Sequence, residues 1–154
     1  MTPTEAFLNW FDNQNKEENE AIAFFFLTLT PDFDREKNLL SGKKSEKLKA
    51  YLTSESNVYT LIGKLLFVRS AFDFLTDVYD DEERFNVSQN TFLKLSQKAE
   101  AKGLDASDSR NLYETGLIRF EQRKEYKKNW KNFCENEFTY EAINKYYMDG
   151  LIKR

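Results

Sequence analysis

The stretch from Asn57 to Glu83 has the sequence NVYTLIGKLLFVRSAFDFLTDVYDDEE, the longest uninterrupted helical pattern in the N-terminal half of the chain. Many of its apolar residues share one broad face at helical spacing, and others lie around the rest of the helix. A helix that is apolar nearly all round is usually buried on several sides. We therefore predict a long central helix over about residues 57–83, against which the rest of the chain packs.

Signals for the start and end of helices recur on both sides of this stretch. Capping side chains precede helical patterns at Thr2, Asn15, Thr30, Ser88, Ser107 and Thr139, and a further short helix is predicted from Ser45 to about Tyr51. Gly42, Gly103 and Gly150 are predicted to end the third helix, the helix from Ser88 and the last helix. The helix from Ser107 is predicted to be the second long one, over about residues 108–133. At Leu27–Thr30 the alternation leaves a short strand as an alternative. The prediction is a single all-α domain over residues 1–154, a compact bundle of about six to eight helices.

The composition removes several classes of function. The chain has no His, the commonest metal ligand and general base, and its one Cys, Cys134, cannot form an internal disulfide or a thiolate zinc site. It also lacks a glycine-rich phosphate loop. No apolar run approaches the roughly 20 residues of a membrane span, and no secretory signal is evident. We expect a cytoplasmic protein that is not an enzyme, uses no cofactor and does not bind a membrane.

Charge divides the chain into two halves of opposite sign. Residues 1–83 form an acidic half with a net charge of −7, and residues 84–154 form a basic half with a net charge of +4. Such a split can mark two binding faces of different charge. It is equally compatible with two halves that pack together and partly cancel each other's fields.

An acidic surface is predicted near the end of the central helix. Asp73, Asp77 and Asp80 have the spacing i, i+4, i+7, which places the three carboxylates on one helical face, and Asp81 follows them. Clustered carboxylates are the ligands that magnesium and manganese prefer. The alternative is a solvent-facing strip that an ion pair with Arg69 stabilises. We expect the second case and predict no metal site.

A basic stripe is predicted on the second long helix. The face that is apolar up to Phe120 continues as Arg123, Lys124, Lys127 and Lys131 when each residue advances by about 100°. Four cations cannot stay in a core, so the helix either leaves the body after Phe120 or bends near residues 121–125 and packs by a new face. Both cases expose a basic stripe flanked by aromatic residues. The predicted binding residues are Arg119, Arg123, Lys124, Lys127 and Lys131, with the aromatic residues Tyr126 and Trp130.

Three interpretations of this stripe remain open. It can bind an acidic protein, it can bind the phosphates of a nucleic acid while Tyr126 or Trp130 stacks on a base, or the acidic surface can neutralise it internally. A pI near 5.2 disfavours a dedicated nucleic-acid binder.

We therefore expect a non-enzymatic inhibitor or adaptor that occupies the surface of another protein, of the immunity-protein or phage-antagonist kind. The excess of Lys over Arg is compatible with a phage, a mobile element or a low-GC bacterium. The alternatives are a helical nucleic-acid-binding protein that uses residues 119–131 and a metal-dependent enzyme centred on Asp73, Asp77 and Asp80.

Overall fold

A computed structural model of the protein describes residues 1–29, 42–54, 57–107 and 120–152. Across these ranges it has helices and no strand: α1 Pro3–Asp12, α2 Lys16–Leu29, α3 Lys44–Thr53, α4 Val58–Asp80, α5 Glu82–Ala101, α6 Phe120–Asn136 and α7 Tyr140–Ile152. These seven described helices confirm the prediction of an all-α bundle of six to eight helices. The helix predicted between Thr30 and Gly42, and residues 108–119 of the second long helix, lie outside the described residues. The strand alternative is not adopted through Leu29, because α2 is helical to that residue.

The long helix α4 lies at the centre of the bundle, as its apolar pattern predicts. It contacts α2, α3, α5, α6 and α7. The ring of Phe72 on α4 lies 5.7 Å from Phe7 of α1, 6.0 Å from Phe26 of α2 and 4.7 Å from Trp130 of α6, measured between ring centroids. Aromatic pairs at such separations stabilise a fold beyond the area that they bury. One residue of the central helix therefore joins three other helices.

The predicted helix starts are confirmed where the capping bond is local. The hydroxyl of Thr2 accepts a hydrogen bond from the backbone N–H of Glu5 at 3.2 Å, and the carboxylate of Glu5 accepts one from the backbone N–H of Thr2 at 3.3 Å. The side chain of Asn15 accepts from the N–H of Glu18 at 2.8 Å. Thr139 caps α7 in the same way. Each bond satisfies a backbone donor that the first turn of a helix leaves without a partner.

The start of α5 differs from the prediction. The helix begins at Glu82 and not after Ser88, because the carboxylate of Asp81 accepts a hydrogen bond from the N–H of Arg84 at 3.2 Å. Asp81 is a good N-cap, and the acidic residues that follow it suit the positive end of the helix dipole. The end of α5 agrees with the prediction, since Gly103 has a φ of +86° just beyond the last turn.

The role predicted for Gly150 is wrong. This glycine does not end α7, which continues to Ile152. It lies where α7 crosses the start of α4, and a Cβ added at Gly150 would come within 2.8 Å of Cγ2 of Val58. The glycine is therefore used for close packing between two helices rather than for termination.

The short helix α3 is capped at both ends by charged side chains from other helices. At its N-terminus the carboxylate of Glu20 on α2 accepts hydrogen bonds from the N–H groups of Lys44 at 2.9 Å and Ser45 at 3.0 Å. At its C-terminal end the ammonium of Lys64 on α4 donates to the carbonyl oxygen of Tyr51 at 2.7 Å. The negative and positive groups lie at the helix ends where the dipole favours them. These contacts fix α3 to α2 and α4.

Candidate partner-binding surface

Helix α6 packs on the body of the protein by its aromatic face. Tyr126, Trp130 and Phe133 follow at i, i+4 and i+7, so they share one side of the helix, and they are 2%, 1% and 7% exposed. The ring of Trp130 lies 5.0 Å from that of Trp10 on α1, and Phe133 stacks on Trp10 at 5.4 Å. Of the two alternatives for this stretch, packing by a new face is the one found over residues 120–136.

Burial of this face corrects the role expected for Tyr126 and Trp130. Both side chains belong to the hydrophobic core and have almost no exposed surface. Neither ring can stack on a base or on a partner without leaving the core. The signal for this was present in the sequence, because the aromatic residues and the cations of this stretch occupy different sides of one helix.

The lysines of α6 lie on its outer side. Lys124, Lys128 and Lys131 are exposed, and Lys127 between them is half-buried. We call Lys124, Lys128 and Lys131 the lysine face. None of the three forms an ion pair with an acidic side chain that the structure describes. The internal pair of Glu125 with Lys128 that their spacing allows is therefore absent.

Two cations of the predicted stripe lie outside the described side chains. Arg119 lies outside the described residues, and so does the side chain of Arg123, whose backbone belongs to α6. The described cations of the stripe are Lys124, Lys127 and Lys131, and the lysine face combines the two exposed ones with Lys128.

The residues of the predicted acidic surface have different structural roles, and Asp73 makes hydrogen bonds to other helices. One carboxylate oxygen of Asp73 accepts a hydrogen bond from the indole N–H of Trp130 at 3.2 Å. The other accepts from Arg69 Nε at 3.3 Å and from the hydroxyl of Tyr140 at 3.4 Å. Arg69 also donates to the carbonyl oxygen of Phe138. Asp73 therefore joins α4 to α6 and α7.

The remaining acidic residues do not converge on Asp73. Asp77 is exposed, and Asp81 caps α5 and pairs with Arg84 at 3.8 Å. The side chain of Asp80 lies outside the described part of the chain. Over the described residues, no three carboxylate or thiol side chains come together in a group that could hold a metal ion. The contact that Asp73 makes with α6 is to an indole, so internal neutralisation of the lysine face by Asp73 is not found.

The titratable groups on the inner side of α6 are held neutral. Burial raises the pKa of the Cys134 thiol to about 12, and burial also raises the pKa of Tyr126 well above its usual range. A thiol with so high a pKa has almost no thiolate at neutral pH. Cys134 is thus a core residue and a poor nucleophile.

A cleft between α1 and α6 was missed by the sequence predictions. It has a volume of about 420 Å³, and the half-buried ring of Trp10 and the buried ring of Phe133 contribute its apolar surface. Six side-chain amides line it, and we call it the amide cleft: Asn9, Asn13 and Gln14 from the end of α1, with Asn129, Asn132 and Asn136 from α6. The i, i+4 and i, i+3, i+7 spacings of these asparagines are a visible signal, but the sequence cannot show that the two rows face each other.

No family model, curated protein or solved structure matches the chain in the comparisons with known proteins. None of the helices in the described ranges has the length and apolar character needed to cross a membrane. The chemistry of its own surfaces is therefore the basis for inferring a function.

Proposed function

We propose that the protein acts by binding another protein, as a non-enzymatic inhibitor or adaptor, and that the lysine face contacts an acidic surface of that partner. The observation that carries this proposal is the row of exposed lysines on a helix whose opposite side is fixed in the core. A positive patch of this kind attracts a negative surface and aligns it during association.

The energetic cost of the row supports a binding role. Within the lysine face, Lys128 has two like-charged neighbours, Lys124 at i, i+4 spacing and Lys131 at i, i+3 spacing. Each such pair destabilises a helix by about 0.2–0.5 kcal/mol. Lys124, Lys128 and Lys131 have no acidic partner among the described side chains that would offset this repulsion. Local features that cost stability without internal compensation are typical of functional surfaces.

A protein partner fits the surface better than a nucleic acid does. The lysines could contact phosphates, but the aromatic rings that would stack on bases are buried beneath them. The whole chain has a net charge of −3, which would repel a polyanion beyond the immediate contact.

The test compares two triple variants that carry the same charge change. The first changes Lys124, Lys128 and Lys131 to Glu, and the matched control changes three exposed lysines on other helices, Lys94, Lys98 and Lys145, to Glu. Both variants should melt within a few degrees of the parent protein, because surface changes usually cost within about 0.5 kcal/mol each.

The two variants and the parent are immobilised and exposed to nuclease-treated lysate of the source cells, and bound proteins are quantified by mass spectrometry. We expect a protein that the parent and the control retain, that the first variant loses, and that salt elutes.

In parallel, each protein is titrated into labelled single-stranded and double-stranded 20-nucleotide DNA and RNA. Salt-dependent binding to these probes that the first variant alone loses would instead favour the nucleic-acid alternative. Equal retention by all three proteins would refute the lysine face as a binding surface.

A further inference from the structure

The amide cleft has a polar chemistry that the lysine face does not share. A side-chain amide offers two N–H donors and a carbonyl acceptor without a net charge. Among the residues that the structure describes, the amides of Asn13, Asn129 and Asn132 have no hydrogen-bond partner, and all three are exposed to the cleft or its rim. Free donors and acceptors therefore stand on both sides of an apolar floor.

The spacing of the amides matches an extended polypeptide. Asn13, which directly follows α1, lies four residues after Asn9, and Asn136 lies four residues after Asn132 on α6, which corresponds to about 6 Å along each helix. One amide N–H of Asn9 donates to Met1 Sδ at 3.6 Å and one of Asn136 donates to the carbonyl oxygen of Asn132 at 2.8 Å, so each of these amides keeps a second N–H and its oxygen. Two residues of an extended chain span about 6.6 Å. The row from Asn129 to Asn136 extends over about 10 Å, the length of three extended residues.

The groups that such rows could bind are those of a peptide backbone. An extended segment presents N–H and C=O groups at regular intervals, whereas a folded helix uses its own backbone groups internally. Alternate side chains of the same segment point to one side, where the rings of Trp10 and Phe133 would contact them. A volume of about 420 Å³ lies within the usual range of roughly 300–1,000 Å³ for ligand sites.

We propose that the amide cleft binds an extended segment of polypeptide, through hydrogen bonds from its asparagines to the backbone of that segment. This binding does not depend on the lysine face. Because amides are neutral, it is only weakly sensitive to salt, while binding by the lysine face weakens as salt rises.

The variants that test the cleft should leave the fold intact. Asn129→Ala and Asn132→Ala replace exposed residues of α6 whose side chains make no hydrogen bond to a described residue, and alanine is the better helix former. Asn144→Ala, at an exposed position of α7 away from the cleft, is the matched control. Unchanged melting temperatures establish that any effect on binding is local.

The probe is a displayed library of random 12-residue peptides, from which the strongest binder is synthesised with a fluorescent label and titrated by polarisation. We expect the double variant to bind about 25-fold more weakly, about fivefold for each amide that is lost, and the control to change less than twofold. The affinity should change little between 50 and 500 mM salt. Replacing backbone N–H groups of the peptide by N-methyl groups, one at a time, should weaken binding at alternate positions.

Four results would overturn the proposal. The library could yield no binder, or its binders could have the same affinity for the parent and the double variant. Binders could also be lost with the Lys124, Lys128 and Lys131 variant and not with the amide variant, which would assign them to the lysine face. Finally, the side-chain amide NMR signals of Asn129 and Asn132 could shift with adenosine or a glucose oligomer and not with any selected peptide.

Discussion

The acceptor that Asp73 provides to Trp130 can be tested by the substitution Asp73→Ala. Trp130 is 1% exposed and its indole N–H donates to Asp73, so the substitution removes the described acceptor of a buried donor. A buried donor left without a partner costs about 1–3 kcal/mol. The hydrogen bond that is lost belongs to the contact between α4 and α6, and this contact orients the lysine face.

The other consequences of this substitution are small. The ion pair of Asp73 with Arg69 is partly exposed and contributes about 0–1 kcal/mol, and the hydroxyl of the exposed Tyr140 can bond to water instead. Alanine recovers about 0.5 kcal/mol of helix propensity. We therefore expect a net loss of about 1–3 kcal/mol in the free energy of unfolding, which lowers the melting temperature by about 2–12 °C for a chain of this size.

The assay is urea denaturation followed by tryptophan fluorescence, with Asp77→Ala as the control. Asp77 is exposed one turn later on the same helix, and its replacement should change the free energy of unfolding by less than about 0.5 kcal/mol. A Trp130→Phe background removes the donor and retains Trp10 as reporter, so the cost of Asp73→Ala should fall there. Equal effects of the two aspartate substitutions, or an undiminished cost in the Trp130→Phe background, would refute the reasoning.

Two further predictions concern Gly150 and Cys134. Gly150→Ala should lower the free energy of unfolding by up to about 2 kcal/mol, because the clash with Val58 costs about 1–3 kcal/mol and helix propensity returns about 1 kcal/mol. Denaturation in a Val58→Ala background should show a smaller cost, and an equal cost would contradict the packing argument. Burial raises the pKa of Cys134 from 9.0 to about 12. The contribution of the neutral thiol to the free energy of unfolding is therefore fully present below pH 9 and is lost as the pH rises towards 12. Above pH 9 the free energy of unfolding of the parent should fall by about 1 kcal/mol per pH unit more than that of Cys134→Ala. Parallel pH profiles of the free energy of unfolding for the two proteins would exclude this linkage.

The parts of the fold that depend on near neighbours in sequence could be predicted. The caps at Thr2, Asn15 and Thr139 involve hydrogen bonds across three residues, so their sequence patterns were sufficient. The central position of α4 followed from its apolar residues. The start of α5 was misplaced because the prediction continued the central helix to about Glu83 and took Ser88 as the N-cap, while the N-cap is Asp81.

Contacts between distant residues could not be predicted. The carboxylate of Glu20 caps a helix that begins 24 residues later, and nothing in either segment specifies that pairing. Asp73 was recognised as part of an acidic row, but its bond to Trp130 depends on how α6 lies against α4. The cations of the candidate site could be identified because the charge of a side chain follows from its residue type alone. The amide cleft was missed because it exists only when α1 and α6 are brought together.

The packing of α1 against α6 has a consequence for synthesis on the ribosome. Trp10 of α1 makes ring contacts with Tyr126, Trp130 and Phe133 of α6, which follow it by 116 to 123 residues. At about 5–20 residues per second, the ribosome needs about 6–23 s to add that length. During this time the ring of Trp10 has no access to its neighbours on α6. The nascent chain must therefore be kept from aggregating by other means, such as a chaperone or early contacts with α2 and α4, until α6 has left the exit tunnel.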